Sequence, residues 1–83
     1  MSSDLSEIKA DKVVDARGVS CPGPLLAAKT EIGKVPKEGV MEVMSADEGT
    51  KRDLPLWCKK IGHEYLGTIE ESGYFRIFIR KKK

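Results

Sequence analysis

The spacing of apolar and polar positions divides the chain into six elements. Lys12 to Asp15, with Val13 and Val14 at its centre, reads as a short first strand. Ala16 to Ser20 reads as a loop. From Leu25 to Lys34 the apolar residues Leu25, Ala28, Ile32 and Val35 fall at i, i+3, i+7 and i+10, one face of a helix that Gly33 and Pro36 end. Gly39 to Ser45 is almost continuously apolar, as an inner strand with a neighbour on each edge would be. Ala46 to Gly49 reads as a turn, followed by a second helix starting between Thr50 and Asp53. Pro55 is expected in its first turn, because a proline deeper in a helix meets the carbonyl four residues back. Leu54, Trp57, Cys58 and Ile61 form its apolar stripe, and Gly62 ends it. Glu64 to Glu71 and Tyr74 to Lys81 read as two strands joined by a turn at Ser72-Gly73.

In the last strand Phe75, Ile77 and Ile79 alternate with Arg76 and Arg80, one buried face against one wet face. Phe78 breaks the alternation and is expected as an exposed aromatic on the open face or a partner contact. The order βαβαββ predicts an α+β fold, a two-layer α/β sandwich in which both helices cover one face of a four-stranded mixed sheet. Eighty-three residues make one domain with a thin core, expected over residues 12–83, and the polar stretch Met1 to Asp11 reads as a flexible tail.

Composition changes this picture little. With 40% apolar and 34% charged residues the chain reads as soluble and globular. No signal peptide or membrane span is visible, which predicts a cytoplasmic protein. Fifteen basic against thirteen acidic residues give a net charge of +2, too mild to argue for direct nucleic-acid binding. One histidine and two distant cysteines make a poor metal site, and no Gly-rich phosphate loop is present, so no bound cofactor is expected.

The candidate chemistry sits in Ser20-Cys21-Pro22-Gly23-Pro24. Two prolines so close together are tolerated at a helix start, where the backbone N–H groups have no intrahelical acceptor. Cys21 is therefore expected at or just before a helix N-terminus, whose partial positive charge favours a thiolate. Cys58, on the apolar stripe of the second helix, is expected to be buried and inert. Asp47 or Asp53 would cap that helix. Loops at the C-terminal ends of parallel strands gather at one edge, which would bring Arg17 and Asp47 near Cys21. Arg17 is a candidate to stabilise an anion on sulfur or steer a partner, and equally a solvated loop arginine. His63 reads as a surface residue without a nucleophile or carboxylate partner. Lys51, Arg52, Lys59, Lys60 and the terminal lysines are candidates for a patch facing an acidic protein.

The stretch Asp15-Ala16-Arg17-Gly18-Val19-Ser20-Cys21-Pro22-Gly23-Pro24 resembles the Cys-Pro-x-Pro signature of the TusA/SirA-like sulfur-carrier family. Ser45-Ala46-Asp47 with Arg52-Asp53-Leu54-Pro55-Leu56-Trp57-Cys58 resembles the family's second block, and Tyr74 to Lys83 its last strand. Glu48 stands where the family often has proline. The resemblance implies the same βαβαββ arrangement, also similar to the C-terminal domain of bacterial translation initiation factor three. It implies a monomeric carrier, and not a self-sufficient enzyme, that accepts a persulfide on Cys21. Asp15, Arg17, Gly18, Pro22, Gly23, Pro24 and Asp47 would support the loop. Sulfur would come from a cysteine desulfurase or a rhodanese-like protein and pass to an acceptor of a sulfur relay, for tRNA 2-thiouridine synthesis or another sulfur pathway. The rival readings are an RNA-binding module and a redox or regulatory module. The first wants a pronounced basic face and the second a resolving thiol near Cys21.

Overall fold

The computed structural model describes residues 10–19 and 23–83. Strands β1 (Lys12–Ala16), β2 (Val40–Ser45), β3 (Glu64–Glu71) and β4 (Tyr74–Arg80) form one sheet in the order β1-β2-β4-β3. β1 and β2 are parallel, which requires the crossover helix α1 (Gly23–Glu31) between them. β4 runs antiparallel to both β2 and β3. Helix α2 (Glu48–Ile61) links β2 to the hairpin. One row crosses the sheet through Val14, Val43, Ile77 and Thr68. The first three belong to a core that also contains Ala28 and Ile32 of α1 and Leu54, Trp57 and Cys58 of α2. Both helices therefore cover the same face, as the βαβαββ pattern predicts.

The strand boundaries agree with the hydrophobic pattern to within one residue at each end. Helix α1 begins at Gly23, two residues earlier than expected, and its last turn tightens into a 3₁₀ turn over Ile32–Lys34. Asp11, assigned to the tail by its sequence context, is held to the sheet: its N–H donates to the Val40 carbonyl at 2.7 Å and its carboxylate accepts from Val40 N–H at 2.8 Å. The rest of the predicted tail, apart from Ala10, lies outside the described residues.

Two expectations fail for identifiable reasons. Helix α2 starts at Glu48, so Pro55 is its eighth residue and not a first-turn residue. The start is fixed by Asp47, whose carboxylate accepts from Gly49 N–H at 2.8 Å, and by a buried Ser45–Thr50 hydroxyl pair at 3.0 Å. A proline here removes one intrahelical donor, at a cost of about 3 kcal/mol relative to alanine. The burial of Leu54, Trp57 and Cys58 on the sheet offsets that cost. Glu48 occupies the first helical position, where proline is also well suited.

Phe78 is the second correction. It is fully buried, on the sheet face opposite the helices. Its register partners are Glu42 and Gly67, and glycine leaves room beside the ring on β3. The Arg76 guanidinium lies 5.3 Å from the ring centroid while its Nε donates to Glu42 at 2.9 Å. The break in alternation marks an ion pair laid over an aromatic ring and not an open apolar surface.

Candidate functional site

Parallel β1 and β2 end side by side at Ala16 and Ser45. The chain leaves β1 through Arg17–Val19 and leaves β2 through Ala46 and Asp47, and both helices start at this edge. Arg17, Gly18, Val19, Ala46 and Asp47 line one open depression of about 230 Å³. Arg17 and Asp47 therefore share one edge, while their expected nearness to Cys21 falls outside the described residues. Cys21 and Pro22 lie outside the described residues; in sequence they directly precede Gly23, the first residue of α1.

Arg17 is tightly held. Its Nε and Nη2 donate to the two oxygens of Asp15 at 2.9 and 2.8 Å, and its backbone N–H donates to the same carboxylate at 3.2 Å. The guanidinium also sits 5.0 Å from the Tyr74 ring centroid. These hydrogen bonds from Arg17 hold the Asp15 carboxyl down at about 2, and the carboxylate raises the Arg17 pKa in return. The pair fixes the chain as it leaves β1, and a Val19 N–H to Ala16 carbonyl bond at 3.2 Å continues the turn. The loop then packs on the helix start. A Cβ added to Gly23 would sit 1.9 Å from Val19 Cγ1, so glycine is what lets the loop close on α1. Pro24 is buried in the first turn. Tyr74 is a member of this edge that the hydrophobic pattern does not single out, because it arrives from the hairpin through strand pairing.

Asp47 caps α2, as one of the two aspartates was expected to; Asp53 instead lies within α2. His63 is half-buried, more so than expected, with its ring edge-on to Trp57 at 5.6 Å and its Nδ1 accepting from Lys82 N–H at 3.2 Å. Burial, with Lys81 and Lys83 nearby, lowers its pKa. Among the described residues no group of three or more His, Cys, Asp or Glu side chains is placed to hold a metal ion. Among the same residues no helix is long and apolar enough to cross a membrane.

Cys58 is 1% exposed inside the core, as its stripe predicts, and burial pushes its thiol up to about 11 from an ordinary value of 9.0. The sign follows from linkage. The unfolded chain loses this proton near pH 9 while the folded protein keeps it until about pH 11, so stability falls as pH rises through that window. The full effect is about 2–3 kcal/mol at 1.36 kcal/mol per pKa unit. Urea denaturation at pH 8 and pH 10.5 is expected to show a loss in the wild type that is smaller in Cys58→Ala; equal losses would place the thiol in contact with water.

The chain has clear relatives among known proteins. The profile of the family described as Sulfurtransferase TusA matches residues 12–81. A protein of Archaeoglobus fulgidus is 45% identical over 71 residues, covering 86% of this chain and 97% of that one. The "Sulfur carrier protein TusA" of Pseudomonas putida strain W619 is 35% identical over 78 residues, 94% of this chain and 98% of the relative. The crystal structure of a SirA-like protein from Desulfitobacterium hafniense superposes with a TM-score of 0.69 at 24% identity, covering 87% of this chain and 99% of that one, and shows the same fold.

Proposed function

The chain belongs to the TusA sulfurtransferase family of sulfur carriers, and from that premise we propose that it carries sulfur as a persulfide on Cys21. The observation that carries the assignment is a family match over residues 12–81, a span that includes Cys21-Pro22-Gly23-Pro24. The Cys21 thiolate attacks the outer sulfur of a donor persulfide, R–S–SH. A sulfur–sulfur bond to Cys21 forms as the donor bond breaks, and the donor leaves as its thiolate, R–S⁻. An acceptor thiolate then removes the same sulfur from Cys21–S–SH. No net oxidant is needed in either step.

Asp15 and Arg17 hold the loop exit, Gly18 lines the depression without a contact or backbone angle that demands glycine, Gly23 lets the loop close on α1, Pro22 and Pro24 stiffen the helix start, and Asp47 caps the neighbouring helix. Arg17 is a positioning residue in this reading, because its guanidinium is committed to Asp15. The burial of Cys58 supports a carrier over a two-cysteine redox switch, since a buried neutral thiol does not compete for a persulfide. A cysteine desulfurase or rhodanese-like protein is the donor class this chemistry requires. The acceptor is a thiol protein of a sulfur relay, serving tRNA 2-thiouridine formation or another sulfur pathway in a reducing compartment such as the cytoplasm. Intact-mass measurement after incubation with a cysteine desulfurase and cysteine tests the reading. A mass increase of one sulfur, reversed by dithiothreitol, is expected; an unchanged mass would overturn it.

A further inference from the structure

Helices α1 and α2 lie side by side on the sheet, and one face of each turns towards the other. In α2, Asp53, Leu56, Trp57 and Lys60 recur at i, i+3, i+4 and i+7; in α1, Leu25 and Lys29 stand at i and i+4. These residues line an open groove of about 200 Å³ between the helices. Trp57 is only 8% exposed, so the apolar floor is recessed, whereas Leu56 at its side is 59% exposed. Charge is uneven around it. Lys29 and Lys60 are exposed and enter no ion pair among the described residues. Asp53, the acid of the lining, has its carboxylate 3.5 Å from Arg52 Nε, and Glu31, at the end of α1, is committed to Lys12 and Lys34. Of the basic residues expected to face an acidic protein, Lys60 thus lines the groove, while Lys51 is turned to Glu48 and Glu70.

We propose that this groove receives an acidic amphipathic helix of a partner protein, with an apolar side chain seated between Leu25, Leu56 and Trp57 and carboxylates at Lys29 and Lys60. An apolar centre inside a charged rim is the anatomy of a protein interface. The groove is smaller than the roughly 300–1,000 Å³ of small-molecule sites, and so suits a side-chain anchor. At 1.5 Å per residue, Asp53 to Lys60 covers about 10 Å, two turns of an occupant helix. The two lysines select acids on that helix. A second copy docked through the same groove would bring both pairs of lysines into one contact, against two aspartates already beside Arg52. A bilayer surface is reached by apolar groups that project, and Trp57 is recessed. The groove shares no lining residue with the depression formed by Arg17 and Asp47, so a helix held here leaves that depression open to a second contact. The inference stands on the groove, whether or not Cys21 carries sulfur.

The probe is a tryptophan-free peptide of about 14 residues, with leucine at i, i+3, i+4 and i+7 and glutamate and alanine elsewhere. Trp57, the one tryptophan of the chain, reports binding by its own fluorescence, and backbone amide chemical shifts locate it. At about 150 mM salt, where charges are screened beyond about 8 Å, a Kd between about 10⁻⁵ and 10⁻⁴ M is expected. The same peptide with lysine for glutamate is expected to bind about tenfold more weakly. Lys29→Glu/Lys60→Glu is expected to reverse that preference, and Leu56→Ser to weaken both peptides about fivefold. All three residues are exposed, so these variants keep the core intact. Lys37→Glu/Lys83→Glu, the same charge change away from the groove, is expected to alter binding less than twofold. A response at neither probe, equal affinity for the two peptides, or equal losses in the two charge variants would overturn the proposal. So would a stronger Trp57 response to phosphatidylglycerol vesicles than to the peptide, which would assign the groove to lipid. A dimer in sedimentation that Leu56→Ser abolishes would overturn it in favour of a second copy.

Discussion

Cys21→Ser is expected to accept no sulfur from a cysteine desulfurase under conditions that load the wild type fully. Serine is nearly isosteric with cysteine, but its hydroxyl is a far weaker nucleophile near neutral pH and does not form the sulfur–sulfur bond. Cys58→Ser provides the contrast. Cys58 is buried among Leu54, Trp57 and Ile61, so a hydroxyl there is desolvated and costs roughly 1–3 kcal/mol if it finds no partner. The folded fraction of that variant is nevertheless expected to load one sulfur. Peptide mapping after persulfide-specific alkylation distinguishes the two thiols, and thermal melts of both variants separate loss of chemistry from loss of fold. Loading retained in Cys21→Ser would move the acceptor to Cys58. That result would require the core around α2 to open, and would revive a two-cysteine mechanism.

The burial of Cys58 is legible in the amino-acid sequence because it rests on a local signal. The i, i+3, i+4, i+7 stripe through Leu54, Trp57, Cys58 and Ile61 fixes which way Cys58 points, and Pro24 falls in the first turn of α1, where a proline is tolerated. The strands are legible for the same reason, β4 through the alternation of Phe75, Ile77 and Ile79 with Arg76 and Arg80 and β2 through its short apolar run. What escapes the sequence is decided by contacts distant along the chain. The start of α2 moves to Glu48 because Asp47 and the Ser45–Thr50 pair act from the end of β2, and that carries Pro55 into the helix interior. Tyr74 reaches the Arg17 edge only through the order β1-β2-β4-β3, which no local pattern encodes. Phe78 is misread in the same way: its cover comes from Arg76 and Glu42, residues that a one-dimensional pattern assigns to the wet face.

The cover over Phe78 carries the largest expected stability effect outside the hydrophobic core. Arg76 bridges three strands: its Nε and Nη2 donate to Glu42 of β2 at 2.9 and 3.5 Å, and its Nη1 to Glu71 of β3 at 3.0 Å. These hydrogen bonds raise the Arg76 pKa, so it stays charged at any pH the fold survives. The Glu42 side chain is only 11% exposed, whereas that of Glu71 is 34% exposed, so the two acids are not equivalent. Arg76→Met keeps the apolar stem over Phe78 but leaves the Glu42 carboxylate desolvated without its counter-charge. Removing one member of a fully buried pair costs about 3–5 kcal/mol, and an exposed pair is worth about 0–1 kcal/mol. This pair is mostly buried, so a loss of roughly 2–4 kcal/mol by urea denaturation at pH 7 is expected. Glu42→Leu combined with Arg76→Met removes both charges and is expected to recover most of the loss. Glu71→Ala is expected to stay within about 0.5 kcal/mol of the wild type. A deficit in Arg76→Met below about 1 kcal/mol would mean that water reaches Glu42, and that Phe78 is held by its strand neighbours alone.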